Sequence, residues 1–304
     1  MTENDRPEEN GVMPHYEVRE LPVTGGTLRV GCWGRRGPVV VASHGLTATH
    51  VCWQALADQL GDDVRLIAPD HRGRGGSNGI TGPFGMPAHA ADLVAILDAF
   101  ALPRADLLIG HSMGAFVAVV AAAQYPDRFA RVLLIDGGLP GIDKLPTGVT
   151  TEQLVAAVVG PSLARLDMRF ASVEAYRDFW RQHPAFAGAW SRYIEQYVDY
   201  DLVGTAPELR SGVSKHAILR DVETQLQGDL VPTALVSLTQ PVRFLKAPRG
   251  IFNADPLYTD DVLNHWAWRT PRFSWATVDD VNHYTISLSE RGAHALAAEI
   301  AAML

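Results

Sequence analysis

Short apolar runs bounded by turn residues alternate with helical patterns along most of the chain. Continuous apolar runs of this length are typical of strands that are buried on both faces of a parallel sheet. An earlier run, Tyr16–Val23, alternates apolar and polar residues and predicts an exposed edge strand. The alternation therefore predicts an α/β fold with a parallel sheet that is covered by helices on both faces. The seven continuous runs are Thr27–Trp33, Val39–Ala42, Val64–Ala68, Ala105–Ile109, Ala130–Ile135, Val242–Leu245 and Phe273–Val278.

Helical patterns occupy the spaces between several of these runs. Pro87–Phe100 carries apolar residues at the i, i+3, i+4, i+7 spacing of an amphipathic helix. Gly114–Tyr125 is apolar nearly all round, which predicts a buried central helix. Residues 288–304 predict a helix that closes the fold.

The alternation stops between about residues 138 and 240, where the sequence shows no convincing strand. Thr150 and Gln153 have the spacing of a capping box at the start of a helix. Apolar and aromatic residues farther along the segment recur at helical spacing and predict one buried stripe. The residues of this stripe are Trp190, Tyr193, Ile194, Tyr197 and Val198.

These patterns divide the chain into a core and an insertion. We predict an α/β core formed by residues 14–137 and 241–304, with a helical cap over residues 138–240 inserted after the sixth strand. Residues 1–13 are acidic and polar and predict a disordered tail. Their composition is the opposite of a signal peptide, and no apolar run reaches the roughly 20 residues that span a bilayer. We therefore predict a cytoplasmic protein without a membrane partner.

A nucleophile motif lies between the fifth predicted strand and the buried helix. Gly110-His111-Ser112-Met113-Gly114 fits G-x-S-x-G, the pattern of a serine on a sharp strand-to-helix turn. Such a turn lifts the hydroxyl clear of the sheet, and the helix start supplies N–H groups for a developing oxyanion. The motif therefore predicts that Ser112 is a catalytic nucleophile.

Three further motifs follow the strands in an order that resembles one family. Ser43-His44-Gly45-Leu46 follows the third strand, the loop Asp70–Ser77 follows the fourth, and Val281-Asn282-His283-Tyr284 comes late in the chain. Together with the serine motif, they make roughly residues 20–304 similar to the α/β-hydrolase superfamily. The resemblance implies an eight-stranded, mostly parallel sheet, a variable cap at the position of the insertion, and neither a metal nor a cofactor. We interpret the loop Asp70–Ser77 as structural.

The resemblance also implies roles for three positions. His283 lies where the family carries its catalytic base, and a serine nucleophile needs a base within hydrogen-bonding distance. The backbone N–H groups of Leu46 and Met113 occupy the positions that form the oxyanion hole in the family. No HExxH pattern is present, so a zinc site is not expected.

The acid partner of His283 departs from the family's usual pattern. The family usually places this acid in the loop after the strand that corresponds to Val242–Leu245, where this chain has Asn253. An amide orients an imidazole but does not offset an imidazolium charge. Asp255, two residues later, and Asp136, at the end of the sixth strand, are the two alternatives. We favour Asp136, because it follows a buried strand that ends at the same edge of the sheet as Ser112.

Composition and charge limit the kinds of binding partner that we expect. Hydrophobic residues make up 47% of the chain and its formal net charge is −8, which favours a folded domain and argues against nucleic acid as a partner. Cys32 and Cys52 lack the spacing of a metal site or a redox motif. We therefore expect a small-molecule substrate. The oligomeric state stays open.

The expected activity is hydrolysis of an ester or lactone with a hydrophobic or aromatic acyl group, through an acyl-enzyme. All aromatic residues of the insertion fall within residues 170–200, and they suggest an apolar roof over Ser112. We predict that His44, Trp180, Trp190 and Tyr284 contact the substrate. Two alternatives stay open: a carbon–carbon bond hydrolase, which usually has tryptophan where this chain has Tyr284, and a ligand receptor without activity.

Overall fold

A computed structural model describes residues 14–141, 148, 150, 153, 164–226 and 228–304. The predicted tail over residues 1–13 lies outside the described residues. The strands of the described residues are β1 Tyr16–Val23, β2 Gly26–Trp33, β3 Val39–Ser43, β4 Arg65–Pro69, β5 Leu107–His111, β6 Val132–Ile135, β7 Leu202–Val203, β8 Arg210–Ser211, β9 Val242–Lys246 and β10 Phe273–Thr277. The α-helices are α1 Gln54–Leu60, α2 Met86–Ala99, α3 Met113–Gln124, α4 Val173–Arg181, α5 Arg192–Asp201, α6 Lys215–Leu226, α7 Leu230–Ser237, α8 Asp260–Arg269, α9 Thr285–Leu288 and α10 Glu290–Met303.

Eight strands form one sheet in the order β1-β2-β4-β3-β5-β6-β9-β10. β2 pairs antiparallel with β1 and with β4, and every other pairing in this sheet is parallel. Each of the eight apolar runs found in the sequence corresponds to one of these strands. The predicted fold class, a mostly parallel eight-stranded sheet in an α/β fold, is therefore confirmed.

Apolar side chains on both faces of the sheet explain why its central strands read as continuous apolar runs. Along β3, Val41 packs in one apolar cluster with α2, α3, α7 and α8, and Val40 packs in a second with α1 and α10. Successive side chains of a strand point to opposite faces, so two helical layers require apolar residues at every position. α3 has ten buried residues among its twelve, as expected of a central helix.

Helices α4 to α7 and the short β7–β8 hairpin lie between β6 and β9. Thr150 and Gln153 make both hydrogen bonds of the predicted capping box, at 2.9 and 3.2 Å. The two-residue strands of the hairpin carry no pattern that a sequence reading could detect. The cap interpretation and its boundaries stay predictions.

One detail of the predicted insertion needs correction, and one contact is worth noting. Helix α7 packs against α3 in the apolar cluster of the core. Trp190 does not belong to the predicted helical stripe, because α5 begins at Arg192 after the N-cap Ser191. The other four residues of the stripe lie on α5 and are buried.

Candidate active site

Ser112 lies on a tight turn between β5 and α3. Its backbone has φ 54° and ψ −122°, a left-handed conformation that costs a residue other than glycine about 1 kcal/mol or more. A Cβ atom on Gly110 would lie 2.3 Å from the carbonyl oxygen of Gly114, and one on Gly114 would lie 2.0 Å from that of Ser43. The close packing therefore requires both glycines of the motif and holds the serine above the end of the sheet.

His283 lies between Ser112 and Asp136. Its Nε2 is 3.0 Å from the Ser112 hydroxyl, and its Nδ1 is 2.7 Å from Oδ2 of Asp136. The second oxygen of Asp136 accepts a hydrogen bond from the backbone N–H of Ala247 at 3.0 Å. With Nδ1 donating to the carboxylate, Nε2 is left as the acceptor for the serine proton. This is the geometry in which an imidazole activates a hydroxyl.

The usual position of the acid is occupied by an amide with a different set of contacts. Oδ1 of Asn253 accepts hydrogen bonds from Arg249 at 2.8 Å and from Asn282 at 3.1 Å. Asp255 is exposed on the same loop. The structure thus places Asp136, and not Asp255, beside His283. Through these two hydrogen bonds, Asn253 instead links Arg249 to Asn282, the residue before His283.

The two predicted oxyanion donors lie on opposite sides of Ser112 in the chain and line the same cavity. Met113 is the first residue of α3, so its N–H has no acceptor within the helix. Leu46 lies in a turn in which the carbonyl oxygen of Gly45 accepts hydrogen bonds from the N–H of Ala48 at 3.1 Å and from Nδ1 of His44 at 2.8 Å. These bonds hold the peptide plane that carries the Leu46 N–H.

Burial keeps two neighbouring histidines neutral. Burial lowers the pKa of His44 to about 3, and its Nε2 accepts a hydrogen bond from the N–H of His71 at 2.9 Å. Burial, and next the charge of His283, lower the pKa of His111 well below its usual value. Nε2 of His111 donates to the carbonyl oxygen of His283 at 2.8 Å. Both side chains therefore fix backbone around the site without adding charge to it.

A cavity of about 280 Å³ opens beside Ser112. Its polar wall contains Ser112, Asp136 and His283. None of the described residues that line it is lysine or arginine. The apolar wall comes from α3, the segment after β6, α6, the loop between β9 and α8, and α8 itself, through Phe116, Leu139, Val222, Leu226, Ile251, Leu257, Tyr258 and Val262.

The structure corrects three of the four predicted substrate contacts. Tyr284 lines the cavity, but His44, Trp180 and Trp190 do not. Trp180 is 1% exposed and packs among Tyr176, Phe186 and other aromatic residues of the insertion. The predicted aromatic roof is therefore mainly the interior of the insertion, and Tyr197 is its one member that lines the cavity within the described residues.

The aliphatic wall was missed by sequence reasoning. Val222 and Leu226 are four residues apart on α6, a spacing that predicts only that one helix face is buried. Ile251 and Leu257 flank Asn253 and Asp255, the two positions after β9 that bear on the acid partner of His283. No signal in the sequence distinguishes such residues from ordinary core residues.

No group of three or more His, Cys, Asp or Glu side chains within the described residues is arranged to hold a metal ion. No helix among them is long and apolar enough to cross a membrane.

Residues 38–200 match the family model of the alpha/beta hydrolase fold. The N-formylmaleamate deformylase of Pseudomonas putida is 35% identical over 210 residues, which cover 66% of this chain and 72% of that protein. The 2-(acetamidomethylene)succinate hydrolase of Mesorhizobium japonicum is 34% identical over 122 residues, which cover 40% of this chain. The matched segment spans only 43% of that relative's own length.

Among solved structures, the crystal structure of E-2-(acetamidomethylene)succinate hydrolase superposes with a TM-score of 0.75. The superposition covers 94% of this chain and 100% of the other, at 23% sequence identity. A likeness at this identity shows the fold alone, and it extends that fold across nearly the whole molecule.

Proposed function

The chain belongs to the α/β-hydrolase fold family, and on that premise we propose that it is a serine hydrolase that cleaves an ester or lactone of a hydrophobic acid. One observation carries the proposal. The hydrogen-bonded series Asp136–His283–Ser112, with distances of 2.7 and 3.0 Å, ends at the wall of an apolar cavity. The roles of these residues and the identity of the bond are our inference.

In the proposed reaction, Ser112 Oγ attacks the carbonyl carbon while Nε2 of His283 takes the hydroxyl proton. Asp136 holds the imidazole in the required tautomer and offsets its positive charge. The N–H groups of Leu46 and Met113 donate to the oxyanion, each contributing about 3 kcal/mol by analogy with other serine hydrolases. His283 then protonates the departing alkoxide and activates a water molecule, which releases the acid and restores Ser112.

The cavity supports an uncharged acyl group. Its described walls supply aliphatic side chains and no lysine or arginine that would pair with a carboxylate. Burying an unpaired carboxylate in such walls costs several kcal/mol, whereas each buried methylene contributes about 0.8 kcal/mol. The names of the two curated relatives describe maleamate and succinate compounds, which carry carboxylates, so we propose a different substrate for this chain.

An amide-type bond is the second candidate. The relative from Pseudomonas putida is named as an N-formylmaleamate deformylase, which favours an acyl–nitrogen bond over an acyl–oxygen bond. The same serine, base and oxyanion donors serve both reactions, since His283 protonates an amine as it does an alkoxide. The leaving group is therefore the property that an assay has to decide.

The test combines covalent labelling with a substrate panel. A fluorophosphonate should add one adduct, mapped to Ser112 by peptide mass spectrometry, and Ser112→Ala should abolish it. p-Nitrophenyl esters, lactones and the matching anilides then rank the bond types by kcat/KM. Labelling at another residue contradicts the proposed nucleophile. An active-site label without turnover of any member of the panel favours the ligand receptor.

A further inference from the structure

The loop Asp70–Ser77 holds an arginine directly behind the oxyanion donors. Arg74 is fully buried. Its Nε donates to the carbonyl oxygen of Leu46 at 3.0 Å, and its Nη2 lies 3.7 Å from the sulfur of Met113. One guanidinium group therefore contacts both residues whose N–H groups we assign to the oxyanion hole.

A carboxylate of the insertion, that of Asp221, balances the charge of Arg74. Nη1 of Arg74 lies 2.5 Å from Oδ2 of Asp221, which is fully buried on α6. Oδ1 of Asp221 accepts a hydrogen bond from the N–H of Gly85 at 2.7 Å and lies 3.0 Å from Nε2 of His89. Burial alone would raise the pKa of Asp221, but His89 and Arg74 outweigh it and lower the pKa to about 2. The carboxylate is therefore ionised wherever the protein is folded near neutral pH.

These contacts restrain the backbone at the site. The carbonyl of Gly45, before Leu46, is already held by His44 and Ala48, and Arg74 holds the carbonyl of Leu46 itself. The two peptide planes that flank the Leu46 Cα are thus each fixed by side-chain or turn hydrogen bonds. Oxyanion donors act because they are aligned before the reaction, so freedom of rotation at the Leu46 Cα, which would let the plane that carries its N–H turn, weakens that donor.

We propose that Arg74 is a positioning residue for the oxyanion hole, and that its ion pair with Asp221 ties that hole to the helix that supplies the cavity wall. The inference rests on the proposed function and deepens it. Val222 and Leu226 of α6 line the cavity next to Asp221. Arg74 is suited to this role because its rigid fork donates several hydrogen bonds at once, which a lysine ammonium on a flexible stem does not.

The same loop supplies a matched control. Arg72 and Asp92 form another buried ion pair, with two contacts of 2.6 Å and exposures of 3% and 2%. The remaining donors of Arg72 reach backbone carbonyls at Thr24, Gly82 and Pro83, away from the oxyanion donors. Both are buried arginine–aspartate pairs, and they differ in which backbone groups the arginine side chain holds.

The experiment compares two double variants, Arg74→Met with Asp221→Asn and Arg72→Met with Asp92→Asn. Each removes one buried ion pair without leaving an unpaired charge. The readouts are kcat and KM on p-nitrophenyl hexanoate, Tm, and the Ki of a hexyl trifluoromethyl ketone, whose serine adduct places an oxyanion in the hole. The corresponding secondary alcohol binds the same cavity without forming an oxyanion.

We expect the Arg74 pair variant to lose about tenfold to a hundredfold in kcat with KM within about threefold of wild type, the scale of a small misplacement of catalytic groups. The Ki of the ketone should rise by the same factor, and that of the alcohol should not change. The Arg72 pair variant should lower Tm while its two Ki values stay within about twofold of wild type, because it does not touch the hole.

Arg74→Lys keeps the test decisive if the double variant does not fold. It retains the charge opposite Asp221 but lacks the Nε donor at the Leu46 carbonyl, so we expect a kcat about tenfold below wild type with the ketone weakened in parallel. If the Arg74 and Arg72 variants bind the ketone equally well, the positioning role of Arg74 is wrong. In that case an active wild-type protein still leaves the proposed function intact. A wild-type protein that neither cleaves an acyl substrate nor binds the ketone overturns both.

Discussion

The described residues include two hydrogen-bonded series of carboxylate, imidazole and hydroxyl groups. In one, Asp136 lies 2.7 Å from His283, which lies 3.0 Å from the Ser112 hydroxyl. In the other, Oδ1 of Asp70 lies 2.6 Å from Nδ1 of His50, whose Nε2 lies 2.8 Å from the hydroxyl of Tyr16. Judged by hydrogen bonds alone, the two are nearly identical.

Their surroundings differ in every respect that matters for catalysis. Ser112 stands on a strained turn at a helix start and lines a cavity, whereas Tyr16 lies on the edge strand β1, and neither it nor His50 lines that cavity. Partial burial of its ring, and next the charge of Asp70, raise the pKa of Tyr16, and its hydroxyl stays protonated near neutral pH. A carboxylate–imidazole–hydroxyl series is thus also a way to satisfy buried polar groups. Reactivity requires a cavity and oxyanion donors in addition.

Removal of the two hydroxyls is the largest expected contrast. Ser112→Ala should lower kcat by about 10⁵-fold or more, since the proposed reaction has no other nucleophile. Tyr16→Phe should leave kcat/KM within about twofold of wild type and lower Tm by a few degrees, because it removes one hydrogen bond worth about 1 kcal/mol. Ester hydrolysis and thermal unfolding of both variants measure this. A large loss of activity in Tyr16→Phe would erase the distinction between the two series.

The two carboxylates should separate in the same way. Asp136→Asn should lose about 10⁴-fold in kcat while staying folded, since the amide leaves the imidazolium charge uncompensated. Asp70→Asn should retain kcat and instead lower the free energy of unfolding by about 1–3 kcal/mol, because Asp70 also accepts buried hydrogen bonds from the N–H groups of His50 and Gly76. Circular dichroism and urea unfolding accompany the kinetics.

Asp255→Asn is the control for the assignment of the acid. Loss of this exposed carboxylate should lower kcat by about tenfold or less, because it is a surface charge on a neighbouring loop. If Asp255→Asn is the inactive variant and Asp136→Asn is not, the acid lies after β9 and the Asp136–His283 contact is merely structural.

The cavity that distinguishes the Ser112 series should appear in acyl-chain preference. From p-nitrophenyl acetate to hexanoate, kcat/KM should rise by up to about fourfold per methylene, the equivalent of about 0.8 kcal/mol each. A hemisuccinate ester of similar length should be a poor substrate, because the described walls offer its carboxylate no lysine or arginine. A flat series, or a preference for the hemisuccinate, contradicts the proposed substrate class.

Histidines without a carboxylate partner should make stability depend on pH. Burial lowers the pKa of His44, His71 and His111, whereas His50 and His283 are paired with aspartates. Below about pH 6.5 the unfolded chain binds more protons at these three sites than the folded protein does, so stability is lost as pH falls. Between pH 7.5 and 5.5 the free energy of unfolding should fall by about 4 kcal/mol from this cause.

Urea unfolding at several pH values measures this slope, and His71→Asn should reduce it by about one third by removing one of the three protons. A stability that is constant over this range would mean that these three side chains bind protons in the folded protein as they do in the unfolded chain. Nε2 of His44 accepts the N–H of His71 at 2.9 Å, which requires a free lone pair on that nitrogen and argues against protonation of His44.

The sequence by itself determined the fold class and the tight turn that carries Ser112. Each of the eight sheet strands lies within a few residues of its run in the sequence. The central strands appear as continuous apolar runs because a strand buried on both faces leaves no room for polar residues, whereas the exposed edge strand β1 alternates. Gly110 and Gly114 identify the turn at Ser112 for an equally local reason, since any larger side chain would collide with neighbouring backbone. Local patterns record what local sterics and burial demand.

Only the tertiary structure decided what each buried residue faces. Trp180 and Val222 both occupy buried helix faces, yet one fills the interior of the insertion and the other lines the cavity. Spacing along the chain left both Asp136 and Asp255 open as the neighbour of His283, and the parallel register of β6 beside β9 places the first in contact. The hydrogen bond from Arg74 to the carbonyl oxygen of Leu46 could not be predicted from the sequence either. Periodicity indicates that a side chain is buried, but it does not indicate which groups surround that side chain.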